Sequence, residues 1–282
     1  MKEIIVKSFA KVNIGLQVRS KRDDNYHNIH TIFQQINLFD TLKITKTNKG
    51  VDFKSNVSWL NNDDSNLCIK AYKKISSICK IGGIKIDLIK KIPVYAGLGG
   101  GSSNAAAVLN GINKLYNLKF SSQYLELIGS GLGADVAFFI NGGTQLGEGI
   151  GDQLTPIKRK FNQKLLIVFP NISIDTSWAY DEIKTFLDKS KNFVNFKDCL
   201  KKKEISFENF DNDFEKIIIP AYPEIGDLIS VIREKKARLS SLSGTGSTVF
   251  GIFDDEATAK VAESAIPKEH KTLILDPIQF GA

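Results

Sequence analysis

Glycine and serine are concentrated in the segment PVYAGLGGGSSNAAA at residues 93–107. Because glycine has no Cβ, the glycines between 97 and 101 let the backbone turn several N–H groups towards one bound group. Apolar residues then recur with helical spacing over 105–116, so a helix follows, and its positive N-terminal end adds to the attraction for an anion. The segment therefore predicts a phosphate cradle.

This loop differs from the two commonest phosphate motifs. No GK[ST] ends it, as a Walker A loop requires, and a serine stands where the dinucleotide fingerprint needs its third glycine. By itself the pattern is equally typical of a structural turn. Its place between a strand and a helix favours the phosphate-binding interpretation, with Ser102 or Ser103 as the helix N-cap.

Lys11 and Asn13 interrupt one face of an apolar strand, and Ala10, Val12 and Ile14 lie on the other face. A lone lysine on a strand usually faces water at a sheet edge. Since Asn13 accompanies it and a polar loop follows the strand, the pair favours one wall of a binding site.

Asp135 is the only charge in the apolar stretch LGADVAFFI at 132–140. The carboxylate could cap a helix. Alternatively, it could be a desolvated group near a cation that orients a substrate hydroxyl or accepts its proton. The segment alone leaves both interpretations open.

The elements that carry these segments follow from periodicity and from turn residues. The first half predicts strands at 3–19, 29–45 and 83–93 and helices at 66–79, 105–116 and about 122–130. The second half predicts strands at 164–170, 247–253 and 271–276 and helices near 176–185, 205–216, 222–237 and 255–265. That β-α-α-β-α-β order favours a ferredoxin-like layer of helices on one sheet. The polar stretch at 155–163 suggests two domains, 1–158 and 159–282.

The composition is that of a folded protein, with 42% hydrophobic and 24% charged residues. The chain shows neither a long apolar run nor a signal-peptide pattern, so we expect a cytoplasmic protein without a membrane partner. Cys68, Cys79 and Cys199 lack metal-ligand spacing and are interpreted as reduced thiols. The net charge of +7 comes from scattered lysines, which favours attraction for polyphosphate substrates over a nucleic-acid partner.

Several of these segments together resemble the GHMP kinase superfamily over nearly the whole chain. The motifs are Ala10-Lys11-Val12-Asn13, Asp24-Asn25-Tyr26-His27, the glycine loop at 93–103, G-A-D-V at 133–136 and G-T-G at 244–246. The resemblance implies an α+β fold, in which an N-terminal α/β sandwich and a ferredoxin-like C-terminal domain form a cleft between them. Asn25 replaces the family's usual glycine, but asparagine tolerates positive φ, so the turn should survive.

The resemblance also implies roles for individual residues. Lys11 and Asp135 match the family's catalytic pair, with Lys11 expected beside Asp135. The implied ATP contacts are Lys90, Pro93, Val94, Tyr95, Ala96, Gly97, Leu98, Gly99, Gly100, Gly101, Ser102 and Ser103. The implied substrate contacts are Asn13, Tyr26, His27, Asp135, Thr176 and Tyr180. Ser103 is a candidate Mg²⁺ ligand by analogy, and a simple N-cap is the open alternative.

The glycine loop alone is shared with kinases of mevalonate, homoserine and galactose. The Lys-x-Asn strand and the Tyr-His loop resemble the branch that phosphorylates the 2-hydroxyl of 4-diphosphocytidyl-2-C-methyl-D-erythritol, in non-mevalonate isoprenoid biosynthesis. The implied cofactors are ATP and Mg²⁺, and we expect a monomer or a homodimer. Phosphorylation of another superfamily substrate and an inactive nucleotide sensor are the rival interpretations.

Overall fold

A computed structural model describes residues 1–60, 62–186, 193–201 and 205–279. The described chain forms two compact units. The first comprises Met1–Ala10, Leu38–Val94 and Gly99–Gly142, and the second comprises Lys11–Asn37, Tyr95–Leu98 and the described residues from Gly143 onward. The glycine loop contributes residues to both units, and the linear boundary at residue 158 stays a prediction.

The strands are β1 (Glu3–Lys21), β2 (His27–Thr47), β3 (Val51–Ser55), β4 (Gly83–Ile89), β5 (Thr144–Glu148), β6 (Gln153–Pro156), β7 (Lys164–Phe169), β8 (Leu239–Leu242), β9 (Val249–Phe253) and β10 (Lys271–Leu275). The helices are α1 (Leu67–Ile78), α2 (Gly100–Tyr116), α3 (Ser122–Ser130), α4 (Ala134–Asn141), α5 (Thr176–Glu182), α6 (Phe196–Lys201), α7 (Glu215–Ala221), α8 (Pro223–Glu234) and α9 (Glu256–Ser264). A 3-10 turn at Ile183–Phe186 follows α5.

In the first unit, β4 is the centre of the strand pairing. It runs parallel to β3 and antiparallel to the second half of β2, with Thr41 opposite Ile89. Helix α2 packs against α1 and α4, and α3 packs against α4. The core includes Ile44, Ile86 and Ile112, all fully buried. β-Branched residues of this kind suit a pleated surface covered by helices.

In the second unit, the first half of β2 pairs with β5, and β5 pairs with β6. A separate antiparallel sheet has the order β10-β7-β9-β8. Helix α8 packs on β8 and β9, and α9 packs on β7, β9 and β10. The resulting β-α-β-β-α-β order is ferredoxin-like. The fold class is therefore confirmed, although β3, β5, β6 and β8 were not predicted from the sequence.

Two predictions for individual elements were wrong. We expected β1 to be half-buried, but every residue from Ala10 to Val18 is buried, so both faces of the strand are covered. We also expected a helix near 205–216, but α7 begins only at Glu215. Residues 211–213 instead form a bridge beside β1, where the Leu16 N–H donates to the Asp211 carbonyl at 2.9 Å and the Asp213 N–H donates to the Leu16 carbonyl at 2.8 Å. A helix would break both bonds.

The cysteines are free thiols. Cys68 is buried, and burial raises the pKa of its thiol to about 12. It is therefore a small apolar core residue in practice. Within the described ranges, no helix combines the length and the apolar character needed to span a membrane.

Candidate active site

The glycine loop has an unusual backbone. Tyr95, Gly97 and Gly99 all have positive φ, at 58°, 73° and 65°. Gly99 is the N-cap of α2 and, within the described chain, no side chain caps this helix end. The first amides of α2 are thus left to bind something else, as the N–H groups at a helix start have no partner within the helix. This arrangement suits an anion.

The prediction that Ser102 or Ser103 caps α2 was wrong, because the helix already begins at Gly100. Ser102 and Ser103 lie inside its first turn. Ser103 is buried, and its hydroxyl accepts a hydrogen bond of 2.7 Å from the Ser8 hydroxyl. Only a residue with positive φ makes the turn at position 99, which explains why glycine and not serine occupies the cap.

Gly97 is held against the turn that follows β8. The Ser243 hydroxyl donates to the Gly97 carbonyl at 3.0 Å, and the Thr248 N–H donates to the Ala96 carbonyl at 3.3 Å. A Cβ on Gly97 would come within 2.1 Å of the Ser243 carbonyl oxygen. Together with the positive φ, this close approach requires glycine at position 97.

Lys11 and Asn13 are directly bonded, as their spacing on one strand face suggests. The Lys11 ammonium donates to Asn13 Oδ1 at 2.6 Å, and Asn13 Nδ2 donates to Thr31 Oγ1 at 3.0 Å. All three side chains are buried. The Lys11 ammonium also lies 5.6 Å from the centre of the Phe33 ring, within range of a cation–π interaction. The site thus holds one buried positive charge in a defined place.

Gly244 links this charge to the turn after β8. A Cβ on Gly244 would lie 3.4 Å from Asn13 Oδ1 and 3.6 Å from Lys11 Nζ. Asn212 Nδ2 donates to the carbonyl oxygen of Gly244 at 2.8 Å and fixes the turn. Thr176 reaches the same turn, because its hydroxyl lies 3.2 Å from the Thr245 hydroxyl. The structure therefore brings Lys11, Asn13, Thr176 and the G-T-G turn together.

His27 and Tyr180 form a second cluster in the same unit. Their rings stack with centroids 5.4 Å apart and planes inclined at 28°. The turn before them has Asn25 at a φ of 68°, as predicted, and leaves Tyr26 57% exposed. Tyr26 directly precedes His27 in the chain, and its exposed ring offers a surface for a planar group.

The imidazole of His27 has an unpaired nitrogen. His27 is buried, and among the described residues its Nε2 atom has no hydrogen-bond partner. Burial and the charges of Lys184 and Lys21 lower the pKa of His27. The ring is therefore neutral at pH 7 and offers one donor and one acceptor. A buried polar atom of this kind costs free energy until a ligand pairs with it.

Asp40, on β2, is the centre of a buried polar network in the first unit. Its fully buried carboxylate accepts from the Lys90 ammonium at 2.5 Å and from Asn104 Nδ2 at 2.9 Å. The backbone N–H groups of Lys91 and Ile92 donate to the same carboxylate at 2.6 and 2.9 Å. Asp40 thereby joins the chain that enters the glycine loop to the N-terminal part of α2. Lys90, expected near the nucleotide, has its ammonium on this carboxylate.

Asp135 lies in the first turn of α4, whose N-cap is Gly133. The capping alternative is thus wrong, although a carboxylate in a first turn is still favoured by the helix dipole. Asp135 is partly exposed, whereas the alternative interpretation was a desolvated carboxylate near a cation. Its expected proximity to Lys11 stays a prediction.

Mg²⁺ prefers carboxylates, phosphate oxygens and water in octahedral geometry. The Ser103 hydroxyl is buried and bonded to Ser8, so in this conformation it does not fit a metal ligand. Over the described ranges, no cluster of three or more His, Cys, Asp or Glu residues could hold a metal ion.

Four polar residues contribute to these clusters but were not predicted from the sequence: Thr31, Asp40, Asn212 and Ser243. Each is a single polar residue whose partners are distant in the chain, such as Asn13 for Thr31 and Gly97 for Ser243. Thr31 and Asp40 lie on β2 among many other polar residues, so the local sequence does not distinguish them.

Comparison with known proteins gives matches over both halves of the chain. Residues 66–143 match the GHMP kinases N terminal domain and residues 194–272 match the GHMP kinases C terminal domain. A 4-diphosphocytidyl-2-C-methyl-D-erythritol kinase of Pelodictyon phaeoclathratiforme is 36% identical over 283 residues, covering 98% of each chain.

Solved structures give the same result. A crystal structure of 4-(cytidine 5'-diphospho)-2C-methyl-D-erythritol kinase superposes with a TM-score of 0.80 at 28% identity, covering 97% of this chain and 99% of the other. A homoserine kinase from Cytophaga hutchinsonii superposes with a TM-score of 0.70 at 20% identity, covering 98% of this chain and 96% of the other, and so shares the fold.

Proposed function

Because this chain belongs to the GHMP kinase family, we propose that it transfers the γ-phosphoryl group of ATP to the 2-hydroxyl of 4-diphosphocytidyl-2-C-methyl-D-erythritol. The relative with 36% identity over nearly its full length carries that activity in its name. In this role the enzyme acts in the non-mevalonate route to isoprenoid precursors. ATP use follows from the kinase family, whereas Mg²⁺, a cytoplasmic location and a monomeric or dimeric state stay predictions.

The observation that carries the choice of acceptor is the buried Nε2 atom of His27, which lies beside the Tyr180 ring and has no hydrogen-bond partner among the described residues. A pyrimidine presents a flat face to aromatic rings and polar atoms at its edge. Tyr26 and Tyr180 would stack on the cytosine, and His27 would hydrogen-bond to its edge. Mevalonate and homoserine have no ring and would leave this cluster unused.

The donor side of the proposal rests on the glycine loop. The amides around Gly97 and the open start of α2 would hold the β and γ phosphates. Phosphoryl transfer depends mainly on alignment and on neutralisation of charge. The buried Lys11 ammonium would stabilise the charge that develops during transfer, and Asp135 would orient the 2-hydroxyl and accept its proton.

An ATP-dependent assay with three acceptors tests this function. We expect ADP release with the diphosphocytidyl compound. The kcat/KM for mevalonate and for homoserine should be lower by at least about 10³-fold, because a site built to bind polar groups of a substrate discriminates strongly against compounds that lack those groups. Turnover of only mevalonate or homoserine would overturn the acceptor assignment. ATP binding without turnover of any acceptor would favour the inactive sensor.

His27→Phe tests recognition of the base. The phenyl ring keeps the stacking surface but removes the ring nitrogens, so kcat/KM for the diphosphocytidyl acceptor should fall by about 5- to 150-fold, the value of about 1–3 kcal/mol for one buried polar pairing. The KM for ATP should not change. Since the substitution removes a buried nitrogen that lacks a partner in the described part of the chain, the free variant should melt at the same temperature as wild type or higher. An unchanged kcat/KM would show that His27 does not contact the base.

A further inference from the structure

We propose that Thr31 is a positioning residue for phosphoryl transfer: its hydroxyl sets the orientation of the Asn13 amide and so keeps an oxygen on the Lys11 ammonium. The inference rests on the proposed function, because it takes Lys11 to be the catalytic cation. Thr31 lies on β2 and reaches Lys11 only through Asn13. It would therefore act on the chemistry without touching either substrate.

The direction of each hydrogen bond follows from which groups can donate. The Thr31 hydroxyl lies 2.7 Å from the backbone carbonyl of Gly15, which can only accept, so the single hydroxyl proton is used there. Towards Asn13, at 3.0 Å, the Thr31 oxygen can then only accept. Asn13 must therefore turn its NH₂ group to Thr31, and its oxygen is left facing Lys11.

An oxygen is what the ammonium requires. The Lys11 side chain has three N–H donors and no acceptor, and its Nζ atom lies 2.6 Å from Asn13 Oδ1. If the amide turned over, its NH₂ group would face the ammonium and two donors would oppose each other. The two amide orientations thus differ in whether the positive charge is held or repelled.

Burial makes this arrangement sensitive to a single change. Thr31 is 0% exposed, Asn13 1% and Lys11 4%. Water has little access to replace a missing partner, and a hydrogen bond to a buried charge is worth more than one at the surface. Loss of the Thr31 hydroxyl should therefore weaken the hydrogen bond between Asn13 and the Lys11 ammonium.

Thr31→Val removes the hydroxyl and keeps the shape of the side chain. We expect kcat to fall by about 10- to 150-fold, which is the value of one hydrogen bond to a charged group, here the bond between Asn13 and the Lys11 ammonium. The KM for ATP should change by less than about twofold. Thr31→Ser retains the hydroxyl and should recover kcat to within about threefold of wild type, although it lacks a buried methyl group. If Thr31 had only a structural role, Thr31→Ser, which loses a buried methyl group, would be damaged more in stability and activity, and Thr31→Val would be damaged less.

A double-mutant cycle with Asn13→Leu tests the route. If Thr31 acts through Asn13, then Thr31→Val should cost less than about twofold in single-turnover rate when Asn13 is already leucine. Full additivity of the two losses would overturn the proposal, as would a Thr31→Val enzyme with wild-type kcat. Should the valine variant aggregate, Thr31→Ala carries the same expectation of lower kcat, and wild-type kcat there would equally overturn it.

The assays use whichever acceptor the wild-type enzyme turns over, so failure of the acceptor assignment and failure of this inference are distinguishable. An active wild type with an unaffected Thr31→Val variant contradicts only the positioning role. A wild type that phosphorylates none of the three acceptors contradicts the proposed function and this inference together.

Discussion

Replacing Asp135 with asparagine should lower kcat by about 10²- to 10⁴-fold, the usual contribution of a positioned general base. Asparagine has the same shape and can still hold the acceptor hydroxyl through a hydrogen bond, but it cannot take the proton. Because Asp135 is partly exposed and Gly133, not Asp135, is the N-cap of α4, the substitution should leave the helix intact. Initial rates of ADP release at saturating substrates measure the effect.

Glu256→Gln is a matched control for this substitution. It also converts a carboxylate in the first turn of a helix to its amide, but on α9, where Glu256 pairs with Lys260 at 2.7 Å on the surface. That exposed pair contributes little to the stability of the protein, and kcat should stay within about twofold of wild type. A folded Asp135→Asn enzyme with near-wild-type kcat would contradict the base assignment. A variant with lost helical content would show that Asp135 supports the fold.

Local sequence patterns predicted those parts of the site in which the partners are close in the chain. Lys11 and Asn13 are two positions apart on one strand face, so their contact follows directly from strand periodicity. Asn25 was expected at positive φ because the turn requires it, and the structure has it at 68°. The helix after the glycine loop was predicted from apolar spacing at 105–116, and α2 contains all of it.

The parts that could not be predicted depend on contacts between distant residues. Asp40 bonds to Lys90, 50 positions later, and Ser243 bonds to Gly97, 146 positions earlier. The periodicity of a helix or a strand does not predict a contact between residues so far apart in the chain. Strand β8 was missed for a related reason: Ser240 and Ser241 are polar but buried, and their hydroxyls bond to the Ile229 carbonyl and to Glu215. A hydrophobic pattern indicates where apolar residues are buried, but it does not indicate polar residues that are buried with hydrogen-bond partners.

Replacing Asp40 with alanine should destabilise the protein by about 3–5 kcal/mol, the usual cost of leaving one partner of a buried ion pair alone. The Lys90 side chain is 5% exposed and that of Asp40 is 0% exposed. The ammonium would keep only the neutral Asn104 Oδ1, at 3.3 Å, and could not reach water without moving the chain that enters the glycine loop. Urea unfolding monitored by circular dichroism measures the loss.

Two further variants separate the buried charge from the rest of the network. Lys90→Met should cost less than Asp40→Ala, because the carboxylate keeps donors from Lys91, Ile92 and Asn104. Glu3→Ala removes a carboxylate from the exposed pair with Lys43, whose atoms are 3.0 Å apart and whose side chains are 48% and 45% exposed, and should cost at most about 1 kcal/mol.

The same variants test whether the network serves the phosphate loop. Asp40 holds both the backbone before the loop and Asn104 in α2, so its loss should loosen the amides at the start of that helix and raise the KM for ATP more than the KM for the acceptor. If Asp40→Ala lost stability with both KM values unchanged, the network would support the core alone. Equal losses for Asp40→Ala and Lys90→Met would contradict the argument from the remaining donors, because that argument assigns the larger cost to the ammonium, which would keep only the neutral Asn104 Oδ1 as its acceptor.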